Sequence, residues 1–129
     1  MQVLFRAKEK NSNNYVIGYE YYNHVEDEYY ITHYVSGSNY KVDRTTRSIN
    51  IEDMLDSQGN KIFASLQKDG KGGDILFDME YEYTLSFDGL KFKLQGLFSQ
   101  SEYNEFDSWE NFDIIGVEEW KQIQYKKNF

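Results

Sequence analysis

The stretch Tyr81-Glu-Tyr-Thr-Leu-Ser-Phe87, Asp88-Gly89, Leu90-Lys-Phe-Lys-Leu94 constrains this chain more than any other. Both runs alternate large apolar or aromatic residues with polar ones at period two, which suits a strand with one wet face and no helix. Asp-Gly between them is a strong two-residue hairpin signal, because glycine accepts the positive φ such turns require. A chain built around such a hairpin folds as antiparallel sheet. The rest agrees. Tyr15-Val-Ile-Gly-Tyr-Glu-Tyr-Tyr22 and Tyr29-Tyr-Ile-Thr-His-Tyr-Val35 are β-branched and aromatic runs, separated by the polar break from Asn23 to Glu28. Val3 to Ala7 reads as an opening strand and Tyr40 to Val42 as a short fourth. Twelve tyrosines and no proline fit half-buried sheet surfaces, where the ring packs and the hydroxyl reaches water.

Other segments carry turn chemistry. Asp56-Ser-Gln-Gly-Asn60 reads as a turn that leads into Lys61-Ile-Phe63, and Ser48-Ile-Asn-Ile51 is too short to assign. Gln67-Lys-Asp-Gly-Lys-Gly-Gly-Asp74 reads as a flexible loop. From Ser99 to Phe112, Tyr103, Phe106, Trp109 and Phe112 recur every three residues, which predicts a short helix with one aromatic stripe. Phe112 to Val117 reads as the last strand.

At 129 residues the length fits one domain over 1–129. It divides into a hairpin region of about 1–47, a region of about 48–117 and a charged tail of 118–129. With no cysteine there is no disulfide framework and no thiolate metal site, which fits a reducing, cytoplasmic setting. No apolar run approaches the ~20 residues of a membrane span, so no membrane partner is expected.

Catalytic chemistry finds little to use. Asp69-Gly-Lys-Gly-Gly-Asp74 lacks the closing Lys-Ser/Thr of a phosphate loop, and Lys71 spoils a calcium loop. His24 and His33, with Glu26 to Glu28 between them, fall short of a four-ligand metal set. Ser65 has no flanking glycines of a nucleophile elbow. The sequence assigns no catalytic, cofactor-binding or metal-ligating residue, and the expectation is a protein that is not an enzyme and uses no cofactor.

The net charge of −8 argues against nucleic acid as a partner, since that affinity rests on phosphate neutralisation. Only two basic trios stand against it, Lys41/Arg44/Arg47 and Lys121/Lys126/Lys127. From Glu102 to Glu119 there are seven acids and no Lys or Arg. Glu102, Glu105, Phe106, Asp107, Trp109 and Glu110 therefore form the candidate interaction surface, with aromatics as anchors and acids for steering. The competing reading packs that aromatic stripe on the sheet and leaves the acids in water. A second functional class is a homo-oligomeric module that captures a small ligand or assembles through Tyr15, Tyr19, Tyr21, Tyr29 and Tyr34. Tyrosine-rich edge strands without proline predict some self-association.

Three segments, in order, resemble the YopX-like family of phage and prophage proteins. They are Phe5-Arg-Ala-Lys8 with Tyr15-Val-Ile-Gly-Tyr19; Val42-Asp43 to Thr46 with Asp56-Ser-Gln-Gly-Asn-Lys-Ile-Phe63 and Gly73-Asp-Ile-Leu76; and Phe112-Asp-Ile-Ile-Gly116. Two departures stand out: the long spacer Ala64 to Gly72, and Val-Glu-Glu-Trp after Gly116. The resemblance implies a phage or prophage origin and no established activity; the expectation of an accessory protein that binds a host or phage macromolecule comes from the acidic-aromatic segment. The resemblance also implies a mainly β fold of antiparallel hairpins whose later half is a small SH3-like barrel. It carries over no catalytic residue.

Overall fold

The computed structural model describes residues 2–52, 54–96, 100–103 and 109–118. The fold is mainly β, a single curled sheet. Its first four strands, β1 (Val3–Lys8), β2 (Tyr15–Asn23), β3 (Glu28–His33) and β4 (Asn39–Val42), form an antiparallel meander. Then come β5 (Ser48–Ile51), β6 (Ala64–Ser65), β7 (Asp74–Phe77), β8 (Glu82–Phe87), β9 (Phe92–Gln95), β10 (Gln100–Tyr103) and β11 (Asp113–Val117). The spatial order is β10-β9-β8-β6-β5-β1-β2-β3-β4. β9 takes one edge of β8, so β7 (pairing Glu82 to Thr84) and β6 (pairing Ser86) share the other, and β11 extends β7.

The meander turns back on itself. Val42 bridges to Glu9, the Lys10 amide donates to the Lys41 carbonyl at 2.9 Å, and the Asp43 amide donates to Lys8 at 2.8 Å. The end of β4 is therefore paired, and the open tyrosine-rich edge expected there is largely absent. Inside the turn, Ala7, Val16, Ile31 and Val42 form a buried cluster with one residue from each of the four strands. A larger cluster draws on Ile49, Ile62, Leu76, Leu85, Phe92 and Trp109 among others. Each fully buried Leu, Ile or Phe contributes about 1.5–3 kcal/mol.

Phe5 packs against both clusters, and the interior also holds polar residues. β5 was too short and too mixed to assign from sequence because it places Ser48, Ile49 and Asn50 all in the interior. Asn50 is satisfied by donating to the carbonyls of Met54 (3.0 Å) and Ile62 (2.7 Å). Beside it Arg6 Nη2 donates to the Gly72 carbonyl at 2.8 Å and lies 2.8 Å from Asp74 Oδ1. That second approach is a charge contact, for neither Asp74 Oδ1 nor Arg6 Nε makes a hydrogen bond among the described residues. Asp74 Oδ2 accepts from the Phe63 amide at 2.8 Å, and the guanidinium stacks 4.6 Å from the Phe63 ring. Burial pushes the Asp74 carboxyl above the usual carboxylate range, against the pull of Arg6 and the Phe63 amide.

One local expectation is corrected and another is met in part. The glycine-rich loop is not a flexible connector, since Gly70, Gly72 and Gly73 are buried. A Cβ on Gly72 would lie 2.2 Å from the Thr46 carbonyl oxygen, and φ there is +84°. Glu118 pins the loop, its amide donating to Gly73 at 2.8 Å and its carbonyl accepting from Gly72 at 2.9 Å. The helix or helical turn expected over Ser99 to Phe112 is met in part: Gln100–Tyr103 is strand, Trp109–Asn111 is one 3-10 turn, and 104–108 lie outside the described residues. A spacing of three is the period of a 3-10 turn, where residues i and i+3 eclipse. Trp109 and Phe112 obey it, both buried, with the Phe112 amide donating to the Trp109 carbonyl at 3.1 Å.

The Asp56 turn forms as expected and does more than turn. Oδ1 accepts from the amides of Gln58 (2.9 Å) and Asn60 (2.8 Å), while Oδ2 accepts from Ile114 on β11 at 3.2 Å. Burial works to raise its carboxyl, but the Asn60, Ile114 and Gln58 amides outweigh it and hold it below the usual range. A depressed carboxylate contributes stability above its unfolded pKa and loses it as pH falls through the folded value. Asp56→Asn is thus expected to cost about 2 kcal/mol at neutral pH and to flatten the loss of stability below about pH 4. Urea melts across pH check this; an unchanged acid limb counts against it. For the buried pair, Arg6→Ala or Asp74→Ala alone is expected to cost about 3–5 kcal/mol, while Arg6→Met with Asp74→Leu recovers most of that. A double variant as unstable as the two losses combined would contradict that account.

Candidate functional site

Of the predicted surface, Glu105, Phe106 and Asp107 lie outside the described residues, and Glu102 is placed on β10 opposite Lys93. Trp109 corrects the expectation. It is 8% exposed and meets the Phe92 ring edge-on at 5.3 Å, so it serves the core and not a partner. Glu110 is exposed on the 3-10 turn beside it.

A comparable surface exists at the β7–β8 turn, where sequence reasoning did not look. Asp78 Oδ1 accepts from the amides of Glu80 (3.0 Å) and Tyr81 (2.8 Å), which closes the turn. That closure holds Met79 at φ +78°, a conformation costly for a residue with a Cβ, and leaves it 78% exposed. Tyr81 beside it is 58% exposed. Glu80 and Glu82 point to water, and Asp113 and Glu82 stand on either side of Phe77 across β11, β7 and β8. Ile115, 49% exposed, sits at the irregularity in the β11–β7 register. The missed signal was the absence of any Lys or Arg between Lys71 and Lys91.

What separates these acids from the others is pairing. In the first half, Arg47 grips Glu20 with two 2.7 Å bonds, Lys10 binds Glu28 at 2.7 Å, and Lys41 and Arg44 approach Glu26 and Asp27 at 3.7 and 4.0 Å. Those contacts also occupy the Lys41/Arg44/Arg47 trio; the second trio, Lys121/Lys126/Lys127, lies outside the described residues. Among the described residues, Asp78, Glu80, Glu82, Glu110 and Asp113 have no Lys or Arg in ion-pair contact. The Asp113 carboxylate instead accepts from the Ser57 hydroxyl. Tyr83 registers the resulting field: burial first, then the charges of Asp78, Tyr81 and Glu80, raise its phenol above the ordinary value.

The sequence candidates for chemistry have structural duties. Ser65 is fully buried, its hydroxyl donating to the Lys71 carbonyl at 2.7 Å. His33 Nδ1 accepts from the Ser36 amide at 3.1 Å, and His24 packs edge-on against Tyr22. Among the described residues no three His, Cys, Asp or Glu side chains are grouped to hold a metal ion, and no helix is long and apolar enough to cross a membrane. A groove of about 710 Å³ beside the β1–β2 turn, lined by Lys8, Lys10, Asn11 and Asp43 among others, is wide open to solvent.

No family model, curated protein or solved structure matches this chain.

Replacing Met79 tests whether its backbone is held against preference. Met79→Gly is expected to leave the unfolding free energy unchanged or raise it by up to about 1 kcal/mol, relief of the left-handed penalty being offset by glycine's unfolded entropy. A urea melt showing a loss above that size would mean that the methionine packs and is not merely presented.

Proposed function

We propose that this protein is a phage or prophage accessory protein that acts without catalysis, by docking its acidic-aromatic β7–β8 edge onto a basic surface of a host or phage protein. The observation that carries the reading is Met79, held exposed at positive φ among Asp78, Glu80, Tyr81 and Glu82. The turn closed by Asp78 fixes the backbone, and a methionine there, where glycine would fit without cost, sets a large apolar side chain in water among carboxylates. Strain of this kind gathers at binding sites. Met79 and Tyr81 provide adaptable and rigid apolar contact, and the unpaired carboxylates provide steering and specificity. Glu110 and Asp113 extend the same charge. The resemblance to YopX-like proteins supports the phage origin.

The test compares the tagged chain with a Glu80→Lys/Glu82→Lys variant in bacterial lysate at low salt. The expected result is one stoichiometric basic partner, retained by the parent chain, released as salt rises and lost by the variant. Charge attraction between exposed groups is screened within about 8 Å at physiological ionic strength, so release by salt is required. Retention of the same partner by the variant, salt-insensitive retention, or no partner at all would overturn the proposal. Met79→Gly is expected to weaken the same capture about tenfold while folding normally.

A further inference from the structure

We propose that the outer face of β2, β3 and β4 is a self-association surface whose occupant is a second copy of this chain. Strand alternation and register place Tyr19 and Tyr21 of β2 on the side away from the Ala7–Val16–Ile31–Val42 cluster, together with Tyr30 and Thr32 of β3 and Lys41 of β4, while Tyr15 and Ile17 on the same side lie against buried Arg6. The face includes no charged residue of β2, since Glu20 points the other way to Arg47. Tyr21 and Tyr30 stack nearly parallel, centroids 5.2 Å apart and planes at 7°, which makes a flat aromatic platform. Tyr21 within it is 42% exposed and Tyr19 beside it 49%. Tyr29, grouped with these by sequence, belongs to the opposite side, under Arg47 and against Tyr22.

Charge selects the occupant. Two copies of a chain with net charge −8 repel, and the excess is lopsided. Through residue 52 there are seven acids and six bases, and from residue 53 onward fifteen acids and eight bases. The tyrosine platform lies in the balanced half, with Lys41–Glu26 and Lys10–Glu28 pairs at its rim. It is the face on which two copies approach with least like-charge cost. A two-fold contact repeats the same patch on both sides, so Lys41 of each copy is offered the other's Glu26. Its extent sets the strength. Strands of nine, six and four residues cover at most roughly 30 Å by 14 Å, so the footprint is no more than about half of the ~800 Å² per partner of a standard interface. The dimer is therefore weak and concentration-dependent.

Sedimentation velocity on the whole chain, from micromolar toward millimolar protein, tests this. A reversible monomer–dimer equilibrium is expected, shifted toward dimer as salt screens the net repulsion. This is the opposite salt response to the capture of a basic partner. Tyr19→Lys/Tyr21→Lys is expected to weaken association at least tenfold with an unchanged thermal melt, and the milder Tyr19→Ser/Tyr21→Ser guards against misfolding. Glu80→Lys/Glu82→Lys is expected to leave the dimer contact intact. A monomer at every concentration and salt, or a dimer indifferent to both tyrosine pairs, would overturn the inference. Because the two faces are probed by separate variants, failure of one proposal leaves the other standing.

Discussion

The buried contact between Arg6 and Asp74 is the constraint on which the rest of this structure depends. It ties the first strand to the seventh, across 68 positions of sequence, in an interior whose two apolar clusters otherwise share Phe5. The geometry is incomplete: Arg6 Nε and Asp74 Oδ1 stay without hydrogen bonds among the described residues, and burial raises the Asp74 carboxyl despite the adjacent guanidinium. Taking two charges out of water costs more than such a contact returns, so the pair is poor as a source of stability. Its effect is positional. Only one register of β1 against β5 brings Arg6 to the Gly72 carbonyl, the Phe63 ring and Asp74 at once, and a slip by one residue would turn the charge to the apolar side.

The glycine-rich segment follows from that constraint. Gly72 must come within contact of the Thr46 carbonyl and Gly73 within contact of Leu85 and Ser65, which leaves no room for a Cβ. Glu118 then clips the loop to the end of β11, and Thr84 donates to the Glu118 carboxylate at 2.6 Å. One polar seam thus fixes where β7 leaves the interior. The β7–β8 turn is presented beyond it, and β11 is laid alongside.

The division of charge has the same logic. Bases are spent inside the first half, on Glu20, Glu26, Asp27 and Glu28, so that half is nearly neutral and exposes tyrosine. The second half carries fifteen acids against eight bases, and Glu80, Glu82 and Glu110 among its acids face water. The two surfaces this produces differ in how salt acts on them, since screening weakens an attraction and relieves a repulsion.

The sequence by itself determined what is local. Alternation at period two gave the hairpin around Asp88-Gly89 and the strands of the meander, because side chains of a strand alternate faces whatever surrounds them. Asp56 announced its turn because its carboxylate bonds amides two and four residues on. Tertiary structure decided the rest. Ser48 and Asn50 carry no pattern that marks a central strand, since their burial is licensed by carbonyls far along the chain. The three-residue aromatic spacing did not separate a helix from a strand followed by a 3-10 turn, and the pairing of Gln100–Tyr103 with β9 puts Tyr103 on a strand while Trp109 starts the turn. Which acids stand unpaired was equally out of reach, because a list of charges does not say which bases the fold has already used. That is settled only when distant strands meet.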